Sequence, residues 1–298
     1  MPVDRHLVTL TASDGEIHDA LLEIDERAAR SRQRVSGRRT AVVHSHGIMG
    51  NFLVGTLRFL PGPLARAGFP VLVLETRMSN VGQLFGQAIL AEASRDIDAG
   101  VNWLREEGFD HIVLSGYSSG ATLAIRYAAT HHLPSLRGVV SLGGPWGLPQ
   151  SLEGRSGRYG ADPSYEEVAL MARRAIAGDP DNPINDRLFV MEKSRGPSRE
   201  PMDSEVYTYR TWWHSRGPGA VAGMAFRQVG SVWAPILFVQ GDDDEHVSTH
   251  EAHALASVAR ASGNRDVEVV AIPGADHAFT GREISTLDTV TQWLRERA

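Results

Sequence analysis

One stretch, residues 112–129, restricts the possible folds more than any other part of the sequence. It begins with an apolar run of strand character that ends at Gly116, and a helical pattern starts just after Gly120. A strand and a helix joined by so short a turn pass close to each other, and glycine on both sides of the turn makes this possible. The stretch predicts a strand–turn–helix unit of an α/β fold, with Ser118 at the tip of the turn.

The spacing G-x-S-x-G over residues 116–120 is typical of a serine whose hydroxyl is exposed by a very tight, strained turn. The helix that follows directs free backbone N–H groups, and the positive end of its dipole, at any group bonded to Ser118. A glycine-rich turn with an incidental serine is the alternative, since the chain contains 30 glycines. The flanking strand and helix favour a nucleophilic serine.

Strand-like and helix-like segments alternate along most of the chain. Apolar runs predict eight strands, at 6–11, 17–24, 40–45, 69–74, 111–114, 137–142, 235–240 and 267–272, and helical spacing predicts helices at 53–67, 86–107, 120–131, 165–177, 249–261 and 283–296. This alternation predicts a mostly parallel sheet with helices on both faces. The arginine-rich residues 27–39 are predicted to form a solvated connector, with a basic patch for an acidic partner as the alternative.

The alternation is interrupted after the sixth predicted strand, where about 90 residues precede the next one. A single crossover connection needs far fewer. We predict a core domain of residues 1–143 and 234–298 and an inserted cap of residues 144–233, which covers the active face as a lid. A decoration on the side of the core is the alternative. Aromatic residues clustered at 207–214 suggest that the cap presents an apolar surface to the substrate.

Composition narrows the class of protein. The net charge of −6 argues against a nucleic-acid partner. The absence of cysteine excludes disulfides, thiol catalysis and thiolate metal sites. Neither a signal peptide nor an apolar run of membrane-spanning length is found, so a cytoplasmic location is predicted. The histidine pairs at 131–132 and 250/253 lack a carboxylate cluster and are interpreted as surface residues, so no metal and no cofactor are predicted.

A serine hydroxyl is a poor nucleophile unless a base accepts its proton and an acid orients that base. In open α/β sheets such groups lie in loops at the carboxyl ends of strands. Residues 242–246 and residues 276–277 occupy two such loops, and the order Ser, Asp, His is the one that this architecture uses. Several local candidates remain: Asp242, Asp243, Asp244, Glu245 and Asp276 for the acid, and His246 or His277 for the base.

Four motifs, in order and suitably separated, make the chain resemble the α/β-hydrolase-fold serine hydrolases of the esterase and lipase type. They are H-G-x-x-G at residues 46–50, the serine turn at 116–120, G-x-x-D-x-x-V at 241–247, and His277 after a short loop that contains glycine and aspartate. The likeness covers nearly the whole chain. It implies an α/β-hydrolase fold with an eight-stranded, mostly parallel sheet and an inserted lid.

The same resemblance implies hydrolysis through an acyl-enzyme intermediate. Ser118 corresponds to the nucleophile, His277 to the base and Asp244 to the acid. The backbone N–H groups of Ile48 and Ser119 correspond to an oxyanion hole. Four residues are implied as supports of these turns: His46, Gly47, Gly116 and Gly120.

The resemblance predicts a carboxylesterase that cleaves a small or medium carboxylic ester or lactone. Serine at the centre of the turn at 116–120 argues against haloalkane dehalogenases and epoxide hydrolases of this fold, which use aspartate at that position. Thioester hydrolysis, C–C bond hydrolysis and acyl transfer through the same residues are alternatives. A protein that binds a ligand without converting it is an alternative of another class. The expected partner is a small ester-like molecule, and no oligomeric state is predicted.

Overall fold

The computed structural model describes residues 3–82, 84–179, 181–194 and 201–298. The strands are β1 (Asp4–Thr11), β2 (Ile17–Ile24), β3 (Thr40–Ser45), β4 (Val71–Leu74), β5 (His111–Tyr117), β6 (Leu136–Leu142), β7 (Ala161–Asp162), β8 (Leu188–Ser194), β9 (Pro201–Thr208), β10 (Ile236–Gly241) and β11 (Val267–Ile272). The α-helices are α1 (Glu26–Ser36), α2 (Pro61–Arg66), α3 (Ser94–Glu106), α4 (Ser119–Thr130), α5 (Leu148–Tyr159), α6 (Tyr165–Gly178), α7 (Tyr209–Ser215), α8 (Thr249–Ala261) and α9 (Glu283–Arg297). No described helix has both the length and the apolar character needed to cross a membrane.

The central sheet has eight strands in the order β1-β2-β4-β3-β5-β6-β10-β11. Strand β2 runs antiparallel to both of its neighbours, β1 and β4, and the other neighbouring pairs are parallel. Every residue of β3, β4 and β10 is buried, as expected for parallel strands covered on both faces. The predicted mostly parallel, eight-stranded sheet is therefore confirmed.

Two apolar layers cover the sheet, one on each face. Alternate residues of β4 enter different layers: Leu72 and Leu74 pack in one, and Val71 and Val73 in the other. Helices α3, α4 and α8 supply the first layer, while α2 and α9 supply the second. Each fully buried aliphatic side chain contributes about 1.5–3 kcal/mol relative to an exposed one, so both layers stabilise the sheet.

Two predicted helices differ from the observed ones. The predicted helix at 53–67 is a 3₁₀ turn at Gly55–Arg58 followed by α2, because Pro61 lacks an N–H and suits only the first turn of a helix. The predicted helix at 86–107 begins only at Ser94. The apolar residues before that point pack in turns, so their helical spacing was misleading.

Most of the arginine-rich connector lies in helix α1, which the sequence analysis did not predict. The Asp25 side chain accepts a hydrogen bond from the backbone N of Ala28 (2.9 Å), and Gly37 ends the helix in the left-handed conformation. Ala29 is the one residue of α1 that is fully buried. Because so few of its residues are buried, α1 has too narrow an apolar stripe to give a helical pattern in the sequence.

Residues 144–233, predicted to be a cap, contain α5, α6 and α7 and an antiparallel sheet in the order β7-β8-β9. This sheet is absent from the sequence prediction. Seven buried side chains form a separate apolar cluster: Leu152, Tyr165, Val168, Ala172, Met191, Tyr207 and Trp212. Within this range, residues 180 and 195–200 lie outside the described part. The division into a core and a cap domain stays a prediction.

We expect Gly116→Ala to destabilise the protein by about 3 kcal/mol, because overpacking a tight contact has costs of this order. A Cβ atom at residue 116 would overlap the carbonyl group of Gly120, where β5 passes the start of α4. Urea unfolding followed by circular dichroism measures the change. Gly154→Ala in α5 is the matched control: its Cβ meets nothing within 4 Å, and we expect it to stabilise the helix slightly. Equal unfolding midpoints for the two variants would contradict this prediction.

Candidate active site

Ser118 lies at the turn between β5 and α4, in the strained backbone conformation that the motif predicts. Its φ is 56° and its ψ is −122°, which is rare for a residue other than glycine. The backbone N of Ser118 donates to the carbonyl O of Leu142 (2.8 Å) on the neighbouring strand, and this bond helps to fix the turn. Strain of this kind costs about 1–3 kcal/mol and is concentrated at functional sites.

Three of the predicted side chains form one hydrogen-bonded chain. His277 Nε2 lies 3.0 Å from Ser118 Oγ, and His277 Nδ1 lies 2.8 Å from Asp244 Oδ2. The Asp244 side chain is fully buried. Because an ionised carboxylate can only accept, Nδ1 carries the imidazole proton, and the lone pair of Nε2 faces the serine hydroxyl. The arrangement can therefore remove a proton from Ser118.

The structure distinguishes the acids that the sequence left as candidates. Asp244 is the carboxylate partner of the His277 imidazole among the described residues. Asp242 instead accepts from the backbone N of Gly274, and Asp276 from the backbone N of Thr280. The remaining two candidates do not replace it either: Asp243 is exposed, and the side chain of Glu245 pairs with His246.

The carboxylate of Asp244 is held by four donors. Its Oδ1 accepts from the backbone N of His246 (2.7 Å) and of Val247 (2.9 Å). Its Oδ2 accepts from His277 and also from Gln240 Nε2, at 2.6 Å. The Gln240 amide additionally donates to the carbonyl O of Val247 (2.9 Å). The sequence analysis missed Gln240, although a polar side chain near the end of an otherwise apolar, buried strand is a usable signal.

We expect Gln240→Met to lower kcat about tenfold with little change in KM, which is the effect of losing one hydrogen bond to a charged group. Without the Gln240 donor the Asp244 carboxylate is held less firmly, so its contact with His277 Nδ1 orients the imidazole less well. Steady-state rates of ester hydrolysis measure the change. A purely structural role for Gln240 would lower the unfolding midpoint without a loss of kcat in the folded enzyme, and partial recovery of kcat in Gln240→Asn would support positioning.

The loop at residues 46–50 is fixed by a fully buried imidazole. His46 Nδ1 lies 2.7 Å from the carbonyl O of Gly47, and the backbone N of Thr76 donates to Nε2 (3.1 Å). His46 therefore donates through Nδ1, and burial lowers its pKa, so that the ring stays neutral. Since the C=O and N–H groups of a trans peptide point in opposite directions, this contact turns the Ile48 N–H away from the ring.

Gly47 and Ile48 bring this loop to Ser118. A Cβ atom on Gly47 would lie 3.1 Å from Ser118 Cβ, so a larger residue would crowd the serine. Ile48 lies in the wall of the cavity at Ser118. Ser119 begins α4, where the first N–H groups of a helix have no intrahelical acceptor.

A cavity of about 510 Å³ opens beside Ser118 and His277. Its volume is in the range of small-molecule sites. Core loops and residues of the predicted cap share its wall, which is lined by Gly47, Ile48, Met49, Gly50, Val54, Gly55, Asn80, Tyr117, Pro145, Leu148, Ser151, Arg155, Ser204, Glu205, Arg216, His246, Val247 and Ala278. Hydroxyl, amide and charged groups are therefore available to a bound molecule, along with apolar ones.

The aromatic cluster at 207–214 does not form this wall. Tyr207 and Trp212 are almost completely buried in the apolar cluster of residues 144–233, and Tyr209 stacks on Phe189 with ring centroids 5.0 Å apart. The described wall of the cavity contains none of the aromatic residues of this cluster. The buried side chains of the aromatic cluster stabilise the inserted segment. The cluster does not provide the apolar surface that was expected to face the substrate.

The histidine pairs considered as metal ligands do not assemble a site in the described part of the chain. The His131 ring stacks on Tyr127, with centroids 4.1 Å apart. The described residues contain no group of three or more histidine, aspartate or glutamate side chains placed to hold a metal ion. The expectation that the protein needs no metal stays a prediction.

Comparison with known proteins gives one partial family match and extensive structural matches. The sequence model of the dienelactone hydrolase family matches residues 223–292, about a quarter of the chain. A search of curated proteins found none that matches. An esterase of Pyrococcus furiosus has 17% identity and a TM-score of 0.63, with 99% of this chain and 91% of that one covered.

Two further solved structures are similar over almost their whole length. Est1E from Butyrivibrio proteoclasticus, with ferulic acid bound, has 17% identity and a TM-score of 0.65, covering 97% of this chain and 99% of its own. A monoacylglycerol lipase of Paleococcus ferrophilus has 17% identity and a TM-score of 0.61, covering 99% and 98%. Together with the sheet order and the position of the serine turn, these matches show that the chain has the α/β-hydrolase fold.

Proposed function

We propose that this protein is a serine hydrolase that cleaves carboxylic esters through an acyl-enzyme intermediate. The observation that carries the proposal is the hydrogen-bonded chain of Ser118, His277 and Asp244 at the wall of a cavity large enough for a small molecule. The partial match to the dienelactone hydrolase family and the structural likeness to esterases and a lipase support the same reaction class.

In this mechanism His277 Nε2 accepts the proton of Ser118 as Oγ attacks the ester carbonyl carbon. The buried carboxylate of Asp244 stabilises the imidazolium that forms and keeps the ring oriented. The N–H groups of Ile48 and Ser119 stabilise the oxyanion, which is often the largest single contribution in such catalysis. The imidazolium then protonates the leaving alcohol, and water, activated by the same imidazole, releases the acid.

The fold makes this assignment physically consistent. The turn exposes Ser118 Oγ, and the hydrogen bond from His46 to Gly47 presets the peptide that precedes Ile48. Donors that are oriented before the reaction need no reorganisation when charge develops on the substrate oxygen. The size of the cavity favours a small or medium ester or lactone.

Reaction with a fluorophosphonate tests the proposal directly. We expect one covalent adduct in the intact mass, located on Ser118 by peptide mapping, together with hydrolysis of 4-nitrophenyl acetate and butyrate. If the fluorophosphonate is too large to reach Ser118, turnover will be observed without an adduct. The test is then repeated with smaller phosphonates. Absence of both adduct and turnover would reject the proposal.

A further inference from the structure

Another cavity, of about 470 Å³, lies at the edge of the central sheet where the parallel strands begin. Its wall is formed by the chain around the amino ends of β3, β5 and β6, which are adjacent in the sheet. Ser118 follows the opposite end of β5. Because β5 has seven residues, the two sites are separated by about 20 Å at roughly 3.3 Å per residue.

The charges in the wall of this cavity, which we call the basic pocket, are not balanced. Three arginines contribute to the wall, Arg38, Arg105 and Arg137, and Asp110 is the one carboxylate among its described residues. In the described part of the chain, none of the three guanidinium groups forms an ion pair with a carboxylate. Like charges that share a pocket repel each other, so the arrangement favours the binding of an anion.

Hydrogen bonds between the segments fix the frame of the basic pocket. The carbonyl O of Arg39 accepts from the backbone N of Asp110 (2.9 Å) and of His111 (3.0 Å). The Asp110 carboxylate accepts in return from the backbone N of Arg39 (3.2 Å). The backbone N of Ile112 donates to the carbonyl O of Ser135 (2.8 Å). The segments are therefore positioned before a ligand arrives, which reduces the cost of binding.

Two side chains of the basic pocket have donors without an acceptor in the described part of the chain. The hydroxyl oxygen of Ser135 is buried and has no hydrogen-bond partner there. Arg137 donates through Nη1 to the carbonyl O of Pro134 and of Leu136, both at 3.3 Å, which leaves its Nε and Nη2 for other acceptors. A buried polar group without a partner is unfavourable, so acceptor atoms of a ligand would stabilise this wall.

The His111 imidazole lies in the positive field of the basic pocket. Burial lowers the pKa of His111, and the guanidinium groups of Arg137 and Arg38 lower it further, against the opposing charge of Asp110. The ring is therefore neutral above neutral pH and contributes no charge of its own. Three guanidinium groups and one carboxylate then leave an excess of two positive charges.

We propose that the basic pocket binds the phosphate group of a soluble small molecule. A phosphate monoester carries a charge of about −1.5 to −2 at neutral pH and presents three strong acceptor oxygens, so it matches both the excess charge and the number of donors. Guanidinium groups bind phosphate oxygens through paired hydrogen bonds. A carboxylate has one charge and two oxygens, and it would satisfy fewer of these donors.

The volume of the basic pocket lies in the range of small-molecule sites, so it has room for the remainder of such a ligand. The inference does not depend on the proposed ester hydrolysis, because the basic pocket and Ser118 lie at opposite ends of β5. Its tests therefore measure binding, and their outcome leaves the proposed function unchanged.

Titration with inorganic phosphate, followed by NMR, tests the inference. The signal is the C2 proton of His111, assigned by its absence in His111→Gln. We expect phosphate to shift this signal with a Kd of about 1 mM, as two charge-assisted hydrogen bonds provide. Succinate is the matched ligand, because it is also a dianion near neutral pH, and it should bind at least about tenfold more weakly. The His277 signal should not move, since His277 lies at the other site.

Arg105→Met and Arg137→Met should each weaken phosphate binding about tenfold. Ser135→Ala should weaken it by a smaller factor and should not lower the thermal unfolding midpoint, because the hydroxyl has no partner to lose in the described part of the chain. Arg34→Met is the matched control: Arg34 is exposed, precedes Arg38 in the same arginine-rich segment and does not line the pocket. It should keep the wild-type affinity.

Three results would overturn the phosphate site. They are an unshifted His111 signal up to about 10 mM phosphate, equal affinities for phosphate and succinate, and equal losses in Arg34→Met and Arg105→Met, which would indicate unspecific attraction. Sedimentation with vesicles of phosphatidylcholine and phosphatidic acid separates a soluble ligand from a lipid headgroup. We expect the protein to stay in the supernatant. Vesicle binding that is lost in Arg105→Met would assign the pocket to a membrane surface and refute the soluble ligand.

Discussion

Ser118→Ala should reduce the turnover of a neutral nitrophenyl ester by about 10³- to 10⁶-fold. In the proposed mechanism the hydroxyl is the attacking group, and His277 Nε2, 3.0 Å from Oγ, would have no proton to accept from alanine. The cavity and the proposed oxyanion donors would remain, so some residual rate above the uncatalysed reaction is expected. Initial rates at saturating ester, with the enzyme concentration set by absorbance, measure the loss.

The control for this variant is another serine-to-alanine change. Ser257 is exposed on α8, and its hydroxyl donates to the carbonyl O of His253 in the same helix (2.8 Å). Ser257→Ala should retain wild-type turnover. The backbone at residue 118 is already strained with serine, and alanine has the same Cβ atom, so the unfolding midpoint of Ser118→Ala should match the wild type. Near wild-type turnover in Ser118→Ala would eliminate this serine as the nucleophile.

The sequence was most informative where the chain is buried on both sides. The strands β3, β4 and β10 are runs of apolar residues because helices cover both faces of the sheet, and such runs stand out in a sequence. The serine turn was equally clear, because close backbone contacts require its glycines: Gly116 where β5 passes α4, and Gly120 where α4 passes the backbone of Ser45 and His46. Structural requirements that involve only neighbouring residues produce patterns that can be recognised in the sequence.

Features that depend on contacts between distant residues could not be predicted in the same way. Arg77 is buried and pairs with Asp96 (2.7 Å) and with Asp14 (2.8 Å) in the β1–β2 turn, yet nothing near it in the sequence indicates these partners. The position of Arg216 likewise depends on Tyr207 and Tyr165, which reach it only through the fold of the inserted segment.

Asp244, the proposed orienting acid, is an intermediate case between a local pattern and a contact that only the fold creates. Three aspartates follow β10 in succession, and their sequence alone gives no reason to prefer one of them. The loop makes the choice: the backbone N–H groups of His246 and Val247 converge on one oxygen of Asp244, and Gln240 and His277 converge on the other. The path of the backbone therefore selects Asp244 from the three aspartates. The G-x-x-D-x-x-V motif marks the position of Asp244 but does not show these contacts.

Asp244→Asn should lower kcat about 10⁴-fold, because it reverses the tautomer of His277. The asparagine oxygen would remain with the N–H groups of His246 and Val247, and its NH₂ group would then face two donors, Gln240 Nε2 and His277 Nδ1. The imidazole can relieve this conflict by accepting at Nδ1 and moving its proton to Nε2. That nitrogen could then no longer accept the proton of Ser118.

Asp243→Asn is the matched control, because it changes the same atoms in the adjacent, exposed residue and should leave kcat within about twofold of the wild type. Steady-state rates for the same nitrophenyl ester compare the two variants. A loss confined to Asp244→Asn would assign the orienting acid to the carboxylate that contacts His277. Equal losses in both variants, or a kcat for Asp244→Asn within tenfold of the wild type, would mean that this contact does not set the tautomer on which the mechanism depends.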